Sequence, residues 1–181
     1  MASKIAALIT AAITSSALVA SAQPEGFHLG PVIEEYGLVA IVPDRDPLPA
    51  DTEFKVSFDL YEPAAIGELN RSLVSGARFL NMHAEAGVPT ENMKLAFVVH
   101  GKAVHDVSTD AHYGEDSGEA NPNRDLIEKL MANGVEIYVC GQSARYHSVE
   151  ASELLPGVHM SLSAMTAHAL LQQDGYTLNP F

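Results

Sequence analysis

The stretch KLAFVVHG, Lys94 to Gly101, is a nearly continuous apolar run of strand length, closed by a turn residue. A strand of this kind is buried on both faces, and it exists only inside a sheet with cover above and below. The flanking sequence offers that cover. EFKVSFDLY, Glu53 to Tyr61, alternates apolar and polar residues as a strand does. Pro63 then opens a helix in which Ile66, Leu69, Leu73, Ala77, Leu80 and Ala84 form one apolar face, and Gly87 and Pro89 end it. A second helix starts at Asn121 and Pro122, runs through Leu126, Ile127, Leu130 and Met131, and closes at Gly134. Val135 to Val139 is a third strand, followed by a helical stretch from Gln142 to Leu155 that stops at Pro156 and Gly157. VHMSL gives a brief strand, Ser163 to Asp174 a last helix stopped by Gly175, and YTLNPF a fifth strand. Strands alternating with helices predict an α/β domain with a mostly parallel sheet and right-handed crossovers.

Three regions fall outside that alternation. Met1 to Ala22 has Lys4, then an uncharged stretch rich in Ala, Ile, Leu and Val, then Ala20-Ser21-Ala22. This is the pattern of a secretory signal peptide, diluted by Thr and Ser below what a membrane span needs. The expectation is cleavage before Gln23, an exported periplasmic or secreted protein, and no membrane attachment afterwards. Residues 23–52 form an N-terminal arm rich in proline and glycine, in which GLVAIV, Gly37 to Val42, is one short edge strand. Residues 53–181 are the domain proper. Within it, Ala103 to Asn123 has five acidic residues and no Lys or Arg, and reads as a solvated loop. Ten basic residues face 23 acidic ones over the whole chain, and loss of Lys4 with the leader takes the formal charge from −13 to −14. Such a surface repels phosphate backbones and excludes nucleic acid as a partner.

In parallel sheets ligands gather at the carboxyl ends of the strands. His100 ends the second strand and Cys140 ends the third. Cys140 is the only cysteine in the chain, so it forms no disulfide within it; it is buried and inert, joined to another molecule, or chemically used. At a strand-to-helix junction a thiol meets unpaired helix N–H groups, which favour the thiolate. Gln142 and Ser143 are extra donors, Gly141 permits the tight turn, Arg145 adds a positive charge one turn on, and His100 offers a proton acceptor or a cation. The opposing reading is a small buried hydrophobe. His100, His105 and His112 with Asp106 and Asp110 form a loose set of metal-ligand types, at spacings that match no closed zinc site. His28, His83, His147, His159 and His168 read as surface or core residues. No glycine loop of the phosphate-binding kind is present, and no cofactor is expected.

From Lys55 onward the chain resembles the DsrE/DsrF-like proteins, the family that includes small subunits of bacterial sulfur relays. The resemblance rests on the strand end VVHG at Val98 to Gly101, on NRDLIEKLMANGVEIYVCGQS at Asn123 to Ser143, on ELLPGV at Glu153 to Val158 and on DGYTLN at Asp174 to Asn179. It implies a three-layer α/β/α fold around a five-stranded parallel sheet, and assembly into trimers or hexamers. It also implies that a cysteine at the end of the third strand, here Cys140, carries sulfur as a persulfide. Relay subunits are cytoplasmic and lack the arm. Three functions therefore stand as expectations: a thiol-based sulfur carrier with a thiol or sulfur-donor partner, a non-enzymatic homo-oligomeric module that binds a small ligand or partner, and a metal-binding protein.

Overall fold

The computed structural model describes residues 24–179. The expected signal peptide and the last two residues of YTLNPF lie outside them. Five strands form one sheet: β3 (Phe54–Leu60), β4 (Met93–Val99), β5 (Glu136–Cys140), β6 (His159–Ser161) and β7 (Thr177–Asn179). Their order is β6-β5-β4-β3-β7, and every neighbouring pair is parallel. This is the α/β architecture expected. KLAFVVHG supplies the middle strand, in which only Lys94 is exposed.

Helices cover both faces unequally. Val56, Phe58 and Leu60 of β3, Leu95, Phe97 and Val99 of β4, and Ile137 and Val139 of β5 point to one side. There they meet α1 (Arg71–Glu85) and α3 (Arg124–Ala132) through Leu73, Ala77, Leu80, Leu126, Ile127 and Leu130. Gly76 lets α1 approach closely, since a Cβ there would lie 2.5 Å from the Phe97 ring. Ala96 and Val98 point the other way and meet Ala167 and Leu171 of α5 (Ala164–Gln173) and Tyr176. Among the described residues no helix is long and apolar enough to cross a membrane.

Three local expectations are overturned, the first two by polar contacts around Asp106 and Asn121. The first helix starts at Arg71, not Pro63. Asp106 accepts the Ala64 N–H at 2.8 Å and the Asn70 amide at 2.6 Å, which holds the intervening segment out of helix, and Asn70 then caps α1 through the Ser72 N–H. Ile66, counted on the apolar face, is consequently exposed. The acidic segment after β4 is no solvated loop. It forms a 3-10 helix over Gly101–Val107 and α2 over Asp110–Ser117, with Ala103, Val104 and Val107 fully buried. The Asn121 amide closes the segment by donating to the Asp106 and Ser108 carbonyls. The helix after Cys140 is short: α4 covers Gly141–Tyr146, and Ser148 turns left-handed at φ 58°.

The arm contributes only two residues of strand on each side of a small antiparallel ribbon, β1 (Phe27–His28) with β2 (Val39–Ala40). One buried side chain on α1 anchors it. Asn81 accepts the Val32 and Ile33 N–H groups at 3.0 and 2.8 Å and donates to the carbonyls of Ile33, Tyr36 and Gly37. Replacing Asn81 by alanine strands several buried backbone groups, and the expected loss is about 2–4 kcal/mol in the unfolding free energy, read by urea denaturation.

Candidate active site at the carboxyl edge of the sheet

Cys140 is the last residue of β5 and the N-cap of α4, and it is 6 % exposed. Strand alternation turns it to the α5 side, away from Val139 and the main core. Burial by itself raises the pKa of a thiol. Here it is outweighed by hydrogen bonds from the Ser143 hydroxyl and from the N–H groups of Ser143, Ala164 and Gln142, so the Cys140 pKa lies below its ordinary value. The donors belong to two helix starts. Gln142 and Ser143 are in the first turn of α4, and Ala164 opens α5. Ser143 is itself held in place, because its oxygen accepts the Gly101 N–H at 3.0 Å. Gly141 is required by crowding: a Cβ would sit 2.6 Å from the Ser161 carbonyl oxygen.

The expected neighbours fall out differently. Ser143 makes the largest of the contributions that lower the thiol pKa. Gln142 acts through its backbone, while its side-chain amide donates to the Leu162 carbonyl at 3.3 Å. Arg145 points to solvent and lies 3.5 Å from Glu150, so its charge is placed on a carboxylate. His100 does stand beside Cys140 in the sheet, one residue beyond the paired Val99 and Val139. Its Nε2, however, is 2.9 Å from Asp59 Oδ1 on β3.

Asp59 and His168 were not identified from the sequence. His168 reaches from α5 to the same Asp59 oxygen at 2.8 Å, and its Nδ1 is buried without a hydrogen-bond partner. Burial raises the Asp59 pKa, but the hydrogen bonds from His168 and His100 outweigh it and keep the carboxyl below its usual value. The available signals were faint. Asp59 is a charge near the end of a strand that is otherwise buried, and His168 shares a helix face with Ala164 and Leu171.

The loose metal-ligand set comes apart. Asp106 is occupied by Ala64 and Asn70, and Asp110 by Arg124 and the Asn121 N–H. His105 stacks on His112 at 5.4 Å and meets His147 edge-on at 5.5 Å, while His112 faces Glu153 at 3.4 Å. Among the described residues no group of three or more His, Cys, Asp or Glu side chains could hold a metal ion.

The model of the DsrE/DsrF-like family matches residues 61–180. The chain belongs to that family. Its fold is similar to that of MTH1491 from Methanobacterium thermoautotrophicum, a protein of unknown function, with a TM-score of 0.54 and 18 % identity over 71 % of this chain and 100 % of that one. The ychN protein from E. coli is a more distant likeness, with a TM-score of 0.49 and 16 % identity over 71 % and 99 % of the two chains. No curated protein matches.

The donor set around the thiol makes a direct prediction. Ser143→Ala removes a hydrogen bond to the thiolate and should move the midpoint of Cys140 alkylation to higher pH, whereas Arg145→Ala should leave it in place. Labelling rates of the folded protein across a pH series measure both.

Proposed function

We propose that this protein is an exported, thiol-based sulfur carrier that takes a sulfane sulfur onto Cys140 as a persulfide. The observation that carries the reading is the thiol at the carboxyl edge of the sheet, placed where α4 begins and near the start of α5, whose polar groups hold its pKa below the ordinary value. Such a setting favours the thiolate, the form that attacks sulfur. An inert core cysteine would be surrounded by hydrocarbon, whereas this one faces polar groups from two helix starts. Family membership supports a sulfur-relay-like fold. A lone thiol also suits an oxidising compartment, because it can pass through mixed disulfides or persulfides without locking inside its own chain.

The reaction is an exchange. The Cys140 thiolate attacks the outer sulfur of a donor persulfide, a new S–S bond forms on Cys140, and the donor leaves as a thiolate. After incubation with a small persulfide, intact-mass analysis should show a gain of one sulfur atom, removed by a reductant and lost in Cys140→Ser. A wild-type mass that stays that of the bare thiol overturns the reading in favour of a non-enzymatic binding module.

The carrier is read as a homo-oligomer, most simply a trimer. Leu162 and Met165 flank the Ala164 donor and are 72 % and 80 % exposed, and Leu170 further along α5 is 60 % exposed. Exposed apolar side chains of this size seek cover, and closed cyclic symmetry is the usual outcome for copies of one chain. Light scattering at micromolar concentration should give a multiple of the monomer mass. Met165→Glu with Leu170→Glu should bring it down toward the monomer.

A further inference from the structure

Two imidazoles meet one carboxylate oxygen at the sheet edge, and sulfur acceptance by Cys140 does not by itself give them a task. Asp59 belongs to β3, His100 follows β4 and His168 belongs to α5. The strands β5, β4 and β3 are consecutive in the sheet. Cys140 and His100 end neighbouring strands, and Asp59 on β3 is level with Val98, two residues before His100. Cys140 and His100 each stand one residue past the Val139–Val99 pair, so they follow level positions on neighbouring strands, whose backbones run about 4.8 Å apart.

An ionised carboxylate only accepts hydrogen bonds, so each imidazole gives Asp59 an Nε2–H. For His100 this fixes the tautomer, and the neutral ring then carries its lone pair on Nδ1. The ring edge that bears Nε2 faces Asp59 on β3. Nδ1 is left off the carboxylate, and β5, the neighbour of β4 on the side away from β3, ends in Cys140. Asp59 stays charged, because the two imidazole hydrogen bonds more than offset the effect of burial. His168 gives its Nε2–H to Asp59. Its side chain is 17 % exposed, and its Nδ1 is buried with no partner, a standing cost that an apolar residue would avoid.

We infer that Asp59 and His168 are positioning residues that hold His100 with its Nδ1 free to exchange a proton with Cys140. The inference rests on the reading of Cys140 as a sulfur acceptor. The Cys140 thiol gives its proton to His100 Nδ1, and the resulting thiolate attacks the outer sulfur of the donor R–S–SH. The Cys140–sulfur bond forms as the donor S–S bond breaks, and the electron pair leaves on R–S⁻. His100 returns its proton to that thiolate, giving Cys140–S–SH and R–SH with no outside oxidant or reductant. Throughout, the Nε2–H of His100 stays on Asp59. The ionisable side chains around His100 are Asp59 and Tyr61 from β3 and its end, Cys140 from β5 and His168 from α5; the Tyr61 ring is 5.2 Å from the imidazole.

The test measures two rates on the full chain across pH: alkylation by iodoacetamide, and sulfur loading from glutathione persulfide. Asp59→Asn keeps the shape of the carboxylate but lets His100 turn. It should cut loading near neutral pH by about tenfold or more, less than the ~100-fold lower end of what a positioned acid–base group supplies because His100 itself is still present, and move the alkylation midpoint upward. Asp59→Glu should recover part of the loss. His168→Gln should have a smaller effect that disappears in the Asp59→Asn background, as expected for residues acting through one another. If Asp59→Asn and His100→Gln load at the wild-type rate with an unmoved pH profile, the inference is wrong. Should Asp59→Asn fail to fold by circular dichroism, His100→Gln at the strand end decides alone by the same criterion. If the wild type takes no sulfur but both variants still shift the alkylation profile, the carrier reading falls and the proton path stands.

Discussion

The site depends on a difference in side-chain size between the two faces of the central strands. On one side β3 and β4 carry Phe58, Leu60, Leu95, Phe97 and Val99, which fill the space beneath α1 and α3. On the other side the same strands carry Ser57, Ala96 and Val98, all fully buried. Small residues there let α5 settle close to the sheet, with Ala167 and Leu171 against Ala96 and Val98. That approach brings the Ala164 N–H to Cys140 and the His168 ring to Asp59. Bulkier residues at Ser57 or Ala96 would lift the helix and take both contacts away together.

Electrostatics at the edge is local and opposes the character of the whole chain. The formal charge is −13, a general field that disfavours any further anion. A thiolate on Cys140 is nevertheless supported, because its donors are dipoles in contact with it, partly shielded from water. No full positive charge is needed. The same logic explains why Arg145, expected to help, does not: it is 85 % exposed at its side chain, and its guanidinium lies beside Glu150. Screening by solvent leaves an exposed charge at that range with little influence.

Polar side chains do the fixing elsewhere as well. Asn81 ties the arm to α1, and Asp106, Asn70, Asn121 and Asn123 join the segments that precede α1 and α3. Their buried carbonyl and amide groups are paired, which makes these junctions specific. It is also why the sequence misled there. A run of acidic and glycine residues has the composition of a loop, yet Asp106 is 3 % exposed because three backbone and side-chain groups converge on that segment.

The sequence alone determined the central strands, the apolar faces of α1 and α3, and the place of Cys140 and His100 at strand ends. Each of these follows from short-range periodicity, which records how often a residue returns to the same face of a strand or helix. Ser143 was legible for the same reason, three residues beyond the strand end where a helix begins. The tertiary structure decided the rest. Asp59 and His168 are 109 residues apart in the chain, and their contact exists only because α5 returns across β3 and β4. Ala164 donates to Cys140 only because β6 pairs beside β5 and delivers the start of α5 to its end. No local pattern encodes such contacts, since they depend on strand order and on how deeply one helix settles, and both are set by packing between distant segments.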